Sequence, residues 1–285
     1  MALLFRNSIL INSMLCSVEA LYGLNNTHID KLEKVDKYLL KQILNASSST
    51  PIEALYLETG AMPVRFLIIC RRLMFYWSIL SKTDAELVRK VYNAQKISPV
   101  KNDWYLQVKE DLEKCNIFLS ETEISNMKRH RFKSLVKERV RELAWAYLIK
   151  LKGSHTKSKY LDESFKIQHY LVSDDLTLDE KRLIFKFRTH TYHCKSNFKW
   201  NHLDTKCSFC DLDDTQEHLL HCKQFSDLNL KTMKYEHIFG TVQEQLKIVK
   251  ILTLIDQKRS AIENISSTPG SQAHHFGASY TSNCI

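Results

Sequence analysis

The 285-residue sequence predicts a mostly α protein, a helical bundle, on three observations. Glycine and proline are scarce, at 6 and 4 residues, too few for the tight turns of sandwiches, barrels and glycine-rich phosphate loops. Apolar residues recur at helical rather than alternating spacing. A helix-start signature, Ser or Thr followed three residues later by Glu, recurs at Thr50/Glu53, Thr83/Glu86, Ser120/Glu123 and Thr177/Glu180, pairs whose side chains can cap each other's backbone N–H groups. Hydrophobic residues at 44% and charged residues at 26% are globular proportions that supply a sizeable core.

The elements follow in order. Arg6 to Leu21 is apolar-rich and reads as a helix stopping at Gly23. The first fifteen residues lack acids, but they carry one Arg and lead into further helical pattern, so a helix is expected there rather than a targeting peptide. Thr27 is the expected cap of the next run, in which Ile29, Leu32, Leu39, Leu40 and Ile43 share a face at helical spacing. Thr50-Pro51-Ile52-Glu53 starts a short helix to about Gly60, with Pro at the first helical position. Residues 63–80, PVRFLIICRRLMFYWSIL, are apolar almost all round and predict the hub of the bundle. Arg65, Arg71 and Arg72 on that hub must snorkel or meet acids, and Glu53 and Glu58 are the expected partners. Phe132 to Leu151 form a long amphipathic helix, with Leu135, Val136, Val140, Leu143, Tyr147 and Leu151 inward and the basic residues outward. Another helix spans about 178–190, and YLVS at 170–173 is the best strand signal. After Asn264 small polar residues without periodicity predict a disordered tail, in which His274, His275 and Cys284 have no scaffold on which to hold a metal. No apolar run approaches the roughly 18–20 residues that cross a bilayer, so no membrane is expected as a partner.

The net charge is +9, unevenly spread. Lys128 to Lys152 carry nine Lys/Arg against two Glu, and Lys181 to Lys206 carry seven against one Asp. Concentrated basicity suits a surface that follows a phosphate backbone, because each neutralised phosphate releases a counterion. The plainer alternative is solvated helix faces balancing acids elsewhere. The cations expected to contact RNA or DNA are Lys128, Arg129, Arg131, Lys133, Lys137, Arg139 and Arg141, joined by Arg188, Lys195 and Lys199. Tyr192, Phe198 and Trp200, interleaved with the latter three, either stack on unpaired bases or pack a core.

The sharpest motif is CSFCDLDDTQEHLLHC at 207–222. Cys207 and Cys210 have the two-residue gap that lets a tight turn aim both sulfurs at one ion, and His218 and Cys222 lie one helical turn apart. Three thiolates and one imidazole complete a closed tetrahedral shell for a single structural zinc, coupled to local folding with an apparent contribution on the order of 10 kcal/mol. His218 is preferred to His221, whose spacing from Cys222 suits a helix face poorly. Thr215 is placed to cap the ligand helix, and Leu219 and Leu220 to pack it onto the body. Eight cysteines without a dense disulfide framework fit a reducing, intracellular location, nuclear or cytoplasmic. The prediction in full is thus a helical bundle followed by a small zinc knuckle and a disordered tail.

This string resembles the Cys-Cys-His-Cys knuckle near the C-terminus of non-LTR (LINE-type) retrotransposon polyproteins. NSILINSML, IDKLEKVDKYLLKQIL, SSSTPIEALYLETGAMPVRFLIICRRL and NDWYLQVKEDLEKC resemble the region downstream of the reverse-transcriptase palm in such elements. The resemblance covers about residues 5–225, with the knuckle its only specific motif. It implies a post-polymerase, thumb-like helical region (1–125) and the knuckle (201–226), between which the charge pattern sets a basic helical region (126–200); the residue pattern adds a C-terminal helical segment (227–263) and the tail (264–285). It further implies a fragment that binds element RNA and target DNA. The palm with its catalytic aspartates and the N-terminal endonuclease are missing, so no enzyme activity is expected. Asp174-Asp175 follows Val172 rather than an aromatic residue and reads as a turn before a helix. Asp227, Glu244 and Lys247 lack the strand scaffold of a nuclease. The competing reading is a helical protein-interaction module, or a retroelement remnant without selected activity.

Overall fold

The computed structural model describes residues 2–21, 24–197, 204–228 and 234–266. Helix α1 (Ala2–Phe5) passes through a π segment (Arg6–Leu10) into α2 (Ile11–Met14), and a 3-10 turn follows at Val18–Ala20. The single helix expected over 6–21 is therefore interrupted. In the widened turn Arg6 is buried, its guanidinium 2.7 Å from both carboxylate oxygens of Asp36. Helix α3 (Asn26–Leu44) is capped by Asn25, whose side chain accepts the His28 N–H at 3.1 Å, in place of the expected Thr27. Its innermost face holds Glu33, Asp36, Leu40 and Leu44, while Ile29, Leu32, Leu39 and Ile43 are half-buried. Arginines waiting inside turn that face: Arg6 meets Asp36, and Arg65 meets Glu33 at 2.7 Å.

Helix α4 (Ile52–Thr59) is buried on almost every side. Its expected capping box does not form, because Glu53 is drawn inward and bonds the Ser158 hydroxyl and His155 Nδ1 instead. Gly60 ends α4 at φ +61, and a Cβ there would sit 2.5 Å from the backbone nitrogen of Ile167, so only glycine allows the two segments this approach. Ile167 pairs with Thr59 as an isolated antiparallel bridge. The strand expected at 170–173 is instead a helical turn, α10 (His169–Val172).

Helix α5 (Val64–Leu80) is the hub, packed by α3, the Val18–Ala20 turn, α6 (Leu87–Ile97), α7 (Trp104–Lys114), α8 (Glu121–Asn126) and α9 (Arg129–Ser154). Its arginines find partners other than Glu53 and Glu58: Arg65 takes Glu33 and Asp30, Arg72 takes Asp111 at 2.7 Å, and Arg71 donates to the Leu15 carbonyl. The capping boxes at Ser120 and Thr177 form, starting α8 and α11 (Leu178–Arg188). At Thr83 only half of the box forms, the Thr83 N–H donating to Glu86 at 3.4 Å, and the pair closes a turn with Glu86 itself preceding α6. Along α9 the fully buried stripe is Phe132, Val136, Val140, Ala144 and Leu148, with Leu135, Leu143 and Tyr147 flanking it.

The chain closes with α12 (Gln216–His221) and α13 (Val242–Ser266). Among the described residues there is no strand, only the bridges Thr59/Ile167 and Lys206/Asp213. One contiguous apolar core runs from Leu40 through α5 and α9 to Cys207, Leu219, Cys222 and Ile255. The motif at 207–222 is therefore seated on the bundle. Of the tail, residues 267–285 lie outside the described residues.

Candidate metal centre and basic surface

The Lys206/Asp213 bridge starts a short hairpin. The Cys207 N–H donates to the Leu212 carbonyl at 2.6 Å, and Asp211, at φ +60, returns its N–H to the Cys207 carbonyl at 3.3 Å. An aspartate tolerates this left-handed turn better than most residues. The chain then enters α12, where the Thr215 hydroxyl accepts the His218 N–H at 3.0 Å, as expected of an N-cap. Leu219 and Leu220, both fully buried, fix that helix to the body.

Hairpin and helix bring the four expected ligands together. His218 Nε2 lies 3.1 Å from Cys210 Sγ, Cys222 Sγ lies 3.7 Å from Cys210 Sγ, and all four ligand atoms of Cys207, Cys210, His218 and Cys222 fall within 4.8 Å of one another. This cluster can hold one metal ion. His221 is exposed and outside it. Burial pushes the Cys222 thiol up to about 12 and also raises Cys207, while the backbone N–H of Leu212 holds Cys210 below its ordinary value. A cation among them reverses the cost of burying thiolates. Burial also lowers His218, which favours the neutral imidazole that a metal requires.

Around the cluster is a framework that the sequence did not reveal. Asp214, 3% exposed, accepts the backbone N–H of Lys195 at 2.8 Å and one arm of Arg259 at 2.5 Å. The other arm of Arg259 donates to the His193 carbonyl at 2.6 Å, so α13 clamps the hairpin from behind. Gln216 donates to the Phe187 carbonyl at 2.6 Å, and Asn197 donates to Gln216 at 3.0 Å. Arg259 and Asn197 carry no local marker, because their partners are distant in sequence.

The expected nucleic-acid residues divide. Lys128, Arg129, Arg131, Lys133, Lys137 and Arg141 are exposed at or on α9. Arg129, Lys133, Lys137 and Arg141 are spaced by four and form one ridge beside the buried stripe. Among the described residues no carboxylate pairs with Lys128, Arg129, Arg131, Lys133 or Lys137, whereas Arg139 is paired with Glu142 at 3.0 Å. Arg141 donates to the Phe165 carbonyl while lying 4.8 Å over its ring.

Arg188 is a correction. It is 2% exposed and gripped by both oxygens of Glu58, so no phosphate reaches it. Lys195 is half-buried beside Asp204 at 3.6 Å, and Lys199, Phe198 and Trp200 lie outside the described residues. Tyr192 is fully buried, donating to Asp256, so of its two readings core packing is the one observed. Asp174 and Asp175 are exposed in a turn before α11, and Glu244 caps α13 through Thr241, a Thr-x-x-Glu signature readable in the sequence. The side chain of Asp227 lies outside the described residues. Comparison with protein-family models, curated proteins and solved structures finds no match for this chain.

Proposed function

We propose that this chain is a non-catalytic zinc- and nucleic-acid-binding fragment derived from a retrotransposon reverse transcriptase, acting inside the cell. The observation that carries the binding is the ridge Arg129–Lys133–Lys137–Arg141, whose first three cations pair with no acid among the described residues. Cations at about 6 Å intervals on a rigid helix match a polyanion rather than a single anion. Zinc is the ion of choice, because three sulfurs and an imidazole suit it and repel oxygen-seeking Ca²⁺ and Mg²⁺. With no open position, the ion braces the fold and takes no part in catalysis.

Two measurements test this. Protein purified without chelator is expected to hold one zinc per chain, lost in the Cys207→Ser, Cys210→Ser double variant. RNA affinity is expected to fall steeply with salt, and an affinity indifferent to ionic strength overturns the proposal. A second reading, a module that docks another protein, is favoured by the outer face of α6, where Leu87, Val91 and Ile97 are exposed. Polar replacement of these three leaves RNA binding intact in either case and abolishes partner capture only in the second.

A further inference from the structure

The ridge does not end with its cations. Continuing by four from Arg141, the next residue is Trp145, 42% exposed, and the next is Ile149. From Arg129 to Trp145 the helix axis rises about 24 Å, and the ridge winds about 40° around it at each step of four. The indole is held rather than loose: its Nε1–H donates to the Glu163 carbonyl at 2.7 Å, which uses the ring's only polar atom and leaves apolar surface to solvent. Tryptophan is seldom fully buried, but this one is pinned at its polar edge and offers its ring on the same ridge as the cations, the combination that single-strand stacking platforms use. Beside it opens a cavity of about 390 Å³ lined by Ile149, Lys152, Lys159 and Glu163. The one acid there is already matched by Lys152 at 2.6 Å, and Lys159 adds a further cation.

We infer that Trp145 stacks an unpaired base at the end of the α9 ridge, so that the chain prefers single-stranded nucleic acid over duplex. The inference rests on the proposed nucleic-acid binding and names its ligand class. The physical reason is that a duplex offers phosphates to the ridge but keeps its bases stacked on each other. A single strand offers both phosphates and free π-faces. Four spaced cations track the backbone, and the platform and adjoining cavity take the base that follows.

The test uses the full chain, with a fluorescein-labelled oligouridylate and a blunt RNA duplex of equal length as probes. Trp145→Ala is expected to weaken the oligouridylate about tenfold, to leave the slope of affinity against salt unchanged, and to leave duplex affinity unchanged. Trp145→Phe is expected to restore most of the loss, which a merely structural role through the Glu163 bond would not, since phenylalanine cannot make that bond. Unchanged helical circular dichroism verifies the fold of both variants. Salt-dependent binding that survives Trp145→Ala within twofold, or that falls equally for duplex, overturns the stacking while leaving the ridge as a phosphate contact. Absence of salt-dependent binding by the unaltered chain overturns both.

Discussion

The two basic segments of this chain have nearly the same composition and opposite fates. Residues 128–152 present Arg129, Lys133, Lys137 and Arg141 to solvent on a single helix. In 181–206 four of the six described cations are taken up: Arg188 is buried on Glu58, Arg182 pairs with Asp179, Lys195 with Asp204 and Lys206 with Asp213. The difference lies in the partner elements. α9 rests on α5 through an apolar stripe, which needs nothing from its outer side chains. α11 packs against α13, α3 and the Tyr235–Phe239 turn, and from it Arg188 reaches Glu58 of α4, which demands a cation because an unpaired buried carboxylate is costly. Charge density along a sequence thus predicts basic surface only where no buried carboxylate takes up the cation.

The comparison can be broken at several points. The largest effect is expected from metal removal, because the second segment leads into the ligand hairpin. Stripping the ion with a chelator forfeits on the order of 10 kcal/mol of apparent local folding energy. Hydrogen exchange is then expected to accelerate at residues 205–222 and leave α5 and α9 protected. Equal acceleration in both regions contradicts a local brace.

Next in size is the buried pair. Glu58→Ala leaves Arg188 charged and 2% exposed, with an expected loss of about 3–5 kcal/mol, read as a fall in melting temperature. The same substitution also strands the hydroxyl of Tyr170, now 2.6 Å from Glu58. By contrast, Lys133→Ala with Lys137→Ala is expected to leave stability within about 0.5 kcal/mol. These two substitutions should lower RNA affinity several-fold and reduce the salt slope by about 2. Lys195→Ala with Lys206→Ala is the matching control and should change the slope little.

The smallest expected effect is acidic. Burial lowers the pKa of His190 below its ordinary value of 6.5, where its Nε2 meets the Tyr235 hydroxyl at 2.8 Å. The folded state therefore takes up its proton later than the unfolded chain. The stability this provides is present above 6.5 and lost as pH falls through the folded value. With the metal bound in both, the wild-type melting temperature should fall more steeply than that of His190→Gln below about pH 6. Parallel profiles refute the assignment.

The helical class, the boxes at Ser120 and Thr177, the glycine ending α4 and the Cys207, Cys210, His218 and Cys222 cluster that can hold one metal ion were all legible in the sequence. The capping boxes and the two pairs Cys207/Cys210 and His218/Cys222 are each set by residues three or four apart, where backbone geometry fixes the distances. The arginine partners were not legible. Arg65, Arg72 and Arg188 meet Glu33, Asp111 and Glu58, residues 32, 39 and 130 positions away. The same holds for the lost cap at Thr50, since Glu53 is claimed by His155 and Ser158 from across the core. Spacing by four could have shown that Trp145 continues the basic ridge, but only tertiary packing exposes it and pins its edge. A short-range rule specifies which groups can meet along the chain. The choice among many acids for one buried guanidinium is made when helices pack, because desolvation makes every unmatched charge there expensive.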